Sequence, residues 1–328
     1  MRGISKIGAA TLAGLVSLLG AQVADALVND VNTSYTQPSN TLVMPFDVTE
    51  GKQSYAIVSN TAGTSPAGGI EILAVSTHWT FWSDSCDYLG DAWACLTLND
   101  TVVVDPRAVA SVDANNATTG DPLDLSGNRG MVVVTAYVTD QTCAGGAVSD
   151  YTMADDAIVG TYTMADISSN AAFGGDAVGL GLNGEGEPQL PQGLVDQLDV
   201  QTFNPTTLGA SSVVFLSVTE MAGEGATATE IGPNSATLNS ALTFYDEEEI
   251  GNTLPDAGVK CATFASMIPG GGLIPSAGAV NSSGFLRVKY SDGTIGGGTG
   301  NFVYGLHGQA VGQFGGSSSF KYTVNLIE

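Results

Sequence analysis

Residues 78–95 read HWTFWSDSCDYLGDAWAC and hold all three tryptophans of the chain, one of its two histidines and two of its four cysteines. Two chemistries fit the second part of this stretch. Asp84, Asp87 and Asp91 interleave with Trp82, Tyr88 and Trp93. Aromatic faces beside carboxylates can stack on the apolar faces of a glycan while the acids accept hydrogen bonds from its hydroxyls. Three acidic side chains within eight residues could instead supply oxygen ligands to calcium. A second oxygen-rich segment, DANNATTGDPLDLSGN (113–128), brings Asp113, Asn115, Asp121 and Asp124, though without the spacing or glycine of an EF-hand. The competing reading is plain, because solvated acidic loops are common at protein surfaces. Beyond possible calcium, no cofactor is indicated.

Catalytic signatures are missing. There is no GxSxG, HExxH, P-loop or GxGxxG at a strand-to-helix turn. A hydrolytic triad needs a histidine base, and only His78 and His307 exist. His307 lies among glycines in VYGLHGQAVG, and no neighbouring residue supplies His78 with a partner, so both read as structural. A glycosidase carboxylate pair is open to a chain with 33 acids, but such clefts are lined with aromatic residues, which are sparse outside 79–93. No catalytic residue is assigned.

Positions 78–84 alternate as a strand does, with Trp79 and Phe81 on one face and His78, Thr80 and Trp82 on the other. Phe81 and at least one of Trp79 and Trp82 are expected in the core. The segment after Ser83 reads as a loop pinned by one or both of its cysteines. Cys86, Cys95, Cys143 and Cys261 contain no CxxC, and with two histidines they do not read as a zinc site. As disulfides they allow three connectivities. Cys86 follows one strand (78–84) and Cys143 another (130–140), which favours Cys86–Cys143, leaving Cys95 and Cys261 paired or free. A short-range Cys86–Cys95 bond is the alternative.

The elements that must position these groups read as β throughout. Short β-branched runs between Gly, Pro, Asn and Asp recur at 41–48, 54–60, 69–82, 101–106, 130–140, 157–165, 211–220, 240–246, 284–293, 301–308 and 320–327. The two occurrences of YTMAD (151–155 and 162–166) suggest two strands of one hairpin.

Signals recur in the same order in the two halves. SYAIVSNTAG (54–63) matches SVVFLSVTEMAG (212–223), HWTFWSD (78–84) matches ALTFYDE (241–247), and DAWAC (91–95) resembles DAGVKC (256–261). RGMVVVTAYVTD (129–140) matches SGFLRVKYSDG (283–293), and two segments ending in FGG (158–175 and 302–316) complete the series. The fold expected is all-β: two tandem antiparallel β-sandwich domains, Ig-like or jelly-roll-like, from an internal duplication. Residues 27–180 and 201–328 form the domains, and a Gly/Pro/Glu-rich linker spans 181–200.

MRGISKIGAATLAGLVSLLGAQVADA (1–26) has the basic start, apolar run and Ala-x-Ala end of a secretory signal peptide, so a mature chain would start at Leu27. Nine Lys and Arg against 33 Asp and Glu give a net charge of −24, which excludes nucleic acid and anionic membrane as favoured partners. No second apolar stretch is long enough for a membrane span, and the four cysteines and few aromatics oppose an outer-membrane barrel. PFDVTEGKQSYAIVSNT, CLTLNDTVVVDP, RGMVVVTAYVTD, AIVGTYTMAD and VYGLHGQAVGQFGGSSSFKYTV, in this order, resemble a loose group of exported, uncharacterised β-rich proteins of environmental Gram-negative bacteria. That resemblance implies export and a β fold, and brings no activity with it.

The function expected is that of an exported, non-enzymatic β-sandwich protein, structural or ligand-binding. It would sit in the periplasm, at the cell surface or outside the cell, with a glycan or surface polymer as candidate ligand. The alternative is a secreted carbohydrate-binding or carbohydrate-active protein using residues 79–93.

Overall fold

The structure is a computed structural model. It describes residues 38–61, 74–109, 123–139, 143, 151–167, 171–182, 186–188, 197–202, 211–223, 229–235, 238–246, 251–266, 284–290, 301–309 and 319–326. The proposed signal peptide, Asp113, Asn115, Asp121 and most of the expected linker lie outside these residues. No helix among them is long and apolar enough to cross a membrane.

The described chain is all-β and antiparallel. Its earlier strands are β1 (Thr41–Asp47), β2 (Lys52–Asn60), β3 (Ala74–Ser83), β4 (Tyr88–Thr97), β5 (Thr101–Val104), β6 (Arg129–Val138), β7 (Ile158–Asp166), β8 (Ala171–Asp176) and β9 (Val178–Leu180). The later ones are β10 (Gln197–Thr202), β11 (Ser211–Ala222), β12 (Thr229–Pro233), β13 (Leu238–Asp246), β14 (Gly251–Val259), β15 (Ala262–Ser266), β16 (Gly284–Tyr290), β17 (Asn301–Gln309) and β18 (Ser319–Leu326). Strand β10 begins inside the segment expected to be linker.

Pairing among the named strands stays within β1–β9 and within β10–β18. The first set forms the sheets β4-β3-β6-β1-β9 and β5-β2-β7-β8. The second forms β14-β13-β16-β10, and a sheet in which β11 pairs with β12, β15 and β17, with β18 beyond β17. Register corresponds as well as order. Thr80, Phe81 and Trp82 face Val133, Val132 and Met131, while Thr243, Phe244 and Tyr245 face Arg287, Leu286 and Phe285. Ser54 faces Met164, and Ser212 faces Gly308. Gly130 and Gly284 close the corresponding ends, opposite Ser83 and Asp246. At Gly130 a Cβ would run into the Trp82 carbonyl oxygen, so only glycine lets β3 and β6 stay paired there.

In the first sheet pair, β1 packs over β2 and β7. Its runs of Val and Met on β1 and β6 are buried on both faces, as central strands require. Trp79 and Phe81 are fully buried in this core, as their alternation on β3 predicts. Phe81 meets Phe46 edge-on at 6.1 Å, and the Trp79 indole N–H donates to Thr77 Oγ1 at 2.9 Å.

Three expectations are corrected. The segment after Ser83 is a loop only to Asp87; Tyr88, Asp91 and Trp93 stand on strand β4. Its Gly and Asp content reads as turn, but pairing with β3 overrides local preference, and a register shift between Phe81 and Trp82 accommodates Gly90 at φ 146°. Residues 151–155 form no strand of a hairpin with β7; Met153 makes an isolated bridge to Tyr137 instead. The disulfides are Cys86–Cys261 and Cys95–Cys143, with Cα separations of 5.4 and 5.7 Å. The favoured Cys86–Cys143 bond fails because β3 and β6 are antiparallel, so their exits lie at opposite ends of the sheet. Val138, at the end of β6, faces Val75, and Cys95 faces Ser76 beside it.

Phe81→Ala is expected to cost about 3–5 kcal/mol, because the surrounding strands cannot close the cavity. Denaturant unfolding with both disulfides intact measures it, and a loss under 1 kcal/mol would contradict this account of the core.

Candidate functional site

Cross-strand pairing gathers one cluster on the outer face of the first sheet pair. His78 faces Trp93 and Thr135 across the ladders, Thr80 faces Asp91, and Ser76 faces Tyr137. Directly paired residues share a face, as do residues two apart on one strand. His78, Asp91, Trp93 and Tyr137 therefore project together, away from Trp79 and Phe81. Glu230, on β12 of the other strand set, comes down onto them.

His78 Nδ1 lies 3.0 Å from Glu230 Oε1. Its Nε2 lies 3.5 Å from Asp91 Oδ2, long for a hydrogen bond but within ion-pair reach. The ring stacks on Trp93 with centroids 4.3 Å apart and planes 14° off parallel. Tyr137 donates its hydroxyl to Glu230, and Tyr88 donates to Asp91. Tyr151 packs on Trp93 and Tyr137. His78 and Glu230 retain 3% and 4% of their exposure. Burial works against the imidazolium, but Asp91 and Glu230 on its two sides outweigh it and push the pKa up to about 9. The His78 contact, ahead of the opposing burial, holds the Asp91 carboxyl below its ordinary range.

The positions singled out in the sequence separate into different roles. Trp93 is buried in the cluster and Asp91 flanks it. Trp82 is half-buried and meets Tyr88 edge-on at 5.2 Å, and Tyr88 keeps 53% of its exposure. Asp84 is taken by Arg129 Nε at 2.7 Å, and Asp87 accepts from Ser83 Oγ at 3.4 Å. Asp124 caps its own turn through the Ser126 N–H at 2.9 Å. Among the described residues no group of three or more His, Cys, Asp or Glu side chains is arranged to hold a metal ion. Sequence reasoning missed Glu230 and Tyr137 and left His78 without a partner. Glu230 lies 152 residues from His78 in the chain, in ATEIGP, which matches no motif.

The disulfide Cys86–Cys261 joins the two strand sets beside this cluster. Both sulfurs lie 3.5 Å from the Asn234 carbonyl, and Cys261 is fully buried. Arg129 also reaches across, over the Phe264 ring at 5.2 Å. Neither a protein-family model nor a curated protein sequence matches the chain.

The arrangement can hold a proton tightly and dock two sheet pairs. A folded pKa of about 9 against an ordinary 6.5 gives stability that is complete below pH 6.5 and lost as pH rises through 9. That loss is on the order of 3 kcal/mol. The melting temperature is thus expected to fall between pH 6.5 and 9, and His78→Gln to flatten that slope. A parallel decline in the variant would place the titrating group elsewhere.

Calcium is expected to do little. A cation at a hundredfold excess over its Kd adds about 2.7 kcal/mol. Melts in chelator and in millimolar calcium should overlap to about 1 °C, since Asp84 and Asp124 are already engaged. A shift of several degrees, abolished in Asp87→Ala, would instead establish a site in the β3–β4 turn.

Proposed function

We propose that the chain is an exported, non-enzymatic structural module of a Gram-negative bacterium, a tandem duplication of one β-sandwich unit acting in the periplasm, at the cell surface or outside the cell. One observation carries this reading: the richest set of chemical groups among the described residues is buried between the two sheet pairs and engaged with itself. His78, one of the two histidines that could serve a hydrolase as base, is buried under Trp93 and held as a cation by two carboxylates. Asp91 and Glu230, acids close to Trp93, are separated by the imidazole ring, which fills the place a glycosidic bond would take. The equal strand order and register of the two sets support duplication, for two unrelated sandwiches need not share both. Disulfides support export, because they persist on the oxidising side of a membrane. The signal peptide at 1–26, the mature start at Leu27 and the linker at 181–200 belong to the same proposal.

Carbohydrate binding is the second reading, and a specific observation favours it. Tyr88, packed against Trp82 and hydrogen-bonded to Asp91, offers an exposed aromatic face beside a carboxylate.

The mature protein can be tested against a panel of polysaccharides for hydrolysis and binding. No turnover is expected, and measurable hydrolysis would overturn the non-enzymatic reading. If a glycan binds, Tyr88→Ala should abolish binding while costing about 1 kcal/mol or less in stability. Trp93→Ala should instead cost about 3–5 kcal/mol, because its ring is buried.

A further inference from the structure

We propose that the Cys86–Cys261 disulfide is a redox latch: its reduction by a dithiol releases the β12–β15 region from the outer face of β3, β4 and β6 and leaves both sheet pairs folded. No strand of β1–β9 pairs with one of β10–β18 among the named strands, so side chains and this bond join the sets. At the seam His78 and Tyr137 meet Glu230, Arg129 lies over Phe264, and the disulfide sits by Asn234, beside apolar residues of β11, β12 and β15 that share the buried core of the first sheet pair and contacts of β8 with β17 and β18. Cys95–Cys143 differs in kind. It lies within the first set, where the β3–β4 ladder already fixes its Cys95 end.

Both ends of the latch are held in unfavourable backbone, whereas in Cys95–Cys143 only Cys143, at φ 51°, is. Cys86 has φ 75° and Cys261 φ 52°, a left-handed region that non-glycine residues enter only when their surroundings force it. Cleaving the bond frees Cys86, which lies in the turn between β3 and β4, to relax. Cys261 stays anchored through Ser217 and Asn234, whose backbone groups bond to its own at 2.6 and 3.2 Å. Access is unequal in the same sense. Cys86 is half-buried between exposed Ser85 and Asp87, whereas Cys261 is fully buried.

The chemistry follows from that asymmetry. A thiolate of the reducing dithiol attacks Cys86 Sγ, forming a mixed disulfide and expelling Cys261 as a thiolate that takes up a proton. The second thiol of the reductant then attacks its own sulfur in the mixed disulfide and releases the Cys86 thiolate, which is protonated in turn. Two electrons and two protons pass to the protein, and the dithiol becomes a disulfide. Once the β12 side can move, Glu230 hydrates. His78 then keeps Asp91 as its neighbour, with Trp93 and Thr135 across the ladders, and loses the second carboxylate.

The two histidines make His78 a direct reporter of the latch, with His307 as internal reference. The experiment follows imidazole titration by NMR in the mature protein, in Cys86→Ala/Cys261→Ala and in Cys95→Ala/Cys143→Ala, with circular dichroism of each. The Cys86/Cys261 variant is expected to keep its β signal while the His78 midpoint falls from about 9 toward 6.5. The Cys95/Cys143 variant should keep the high midpoint, and adding dithiothreitol to it should reproduce the fall. A His78 midpoint unchanged in the Cys86/Cys261 variant would overturn the proposal. Loss of the β signal in that variant would also overturn it, because the bond would then hold the fold and not its docking.

Discussion

A protonated imidazole with almost no solvent exposure is the constraint around which the two strand sets are arranged. Left unpaired, such a charge is expelled or neutralised, because burial disfavours it strongly. His78 keeps its proton because Asp91 comes from its own sheet and Glu230 from the other strand set. Neither strand set holds the full complement, so the polar network is complete only when they dock. A half-made network of this kind is costly, since each buried group loses its water without gaining a partner. Buried ion pairs add little net stability over apolar packing, but in this cluster the partner geometry limits which docking satisfies every group. Glu230 must land on Nδ1 of one imidazole and the hydroxyl of one tyrosine, and a shift by one strand residue would turn either group to the opposite face.

What differs between the two strand sets lies where they meet. The sheets β4-β3-β6-β1 and β14-β13-β16-β10 match in order, but β9 is added to the first and β12 to the other half. Strand β12 carries Glu230. In the aligned sequences His78 and Trp79 stand opposite Ala241 and Leu242, so the ionic partner lies on one copy of the strand. Under the duplication reading, two equal sheet faces became unlike, one bearing the imidazole cluster and the other unit extended by the strand that answers it.

Much of the fold could be read from local pattern because β-branched runs between turn residues need no knowledge of their partners. Runs such as TVVVDP, GMVVVTAYV and SSVVFLSVTE fall on β5, β6 and β11. Strands whose chemistry resembles turns were not legible. YLGDAWACLT carries Gly and Asp, and GNTLPDAGV carries Gly, Asp and Pro, yet β3 and β13 pair with them as β4 and β14. The assignment of Trp79 and Phe81 to the core followed from period two alone. The role of His78 could not, because its partner is distant in sequence and ordinary in context. The disulfides escaped for a related reason. Guessing that two strands exit at the same end presumes parallel neighbours, and every ladder here is antiparallel.

The seam sets an ionic cluster beside apolar contacts from β11, β12 and β15, and the chain's charge supplies a reason. With nine basic residues against 33 acidic ones, this protein has few cations to place, and Lys52, Arg107 and Arg129 already pair with Asp47, Asp105 and Asp84. A wholly apolar outer face on the first sheet pair would be sticky toward other copies, because exposed sheet faces with large aromatic side chains associate readily. His78 and Asp91 remove that option. Two such faces pressed together would bury two imidazoles with no Glu230 to answer either, whereas the chain's own second unit brings the missing carboxylate. The first unit also leaves the ribosome before the second exists, so its outer face must wait uncovered during synthesis. A face that stays hydrated until its partner arrives is better suited to that interval than one that sticks to whatever it meets.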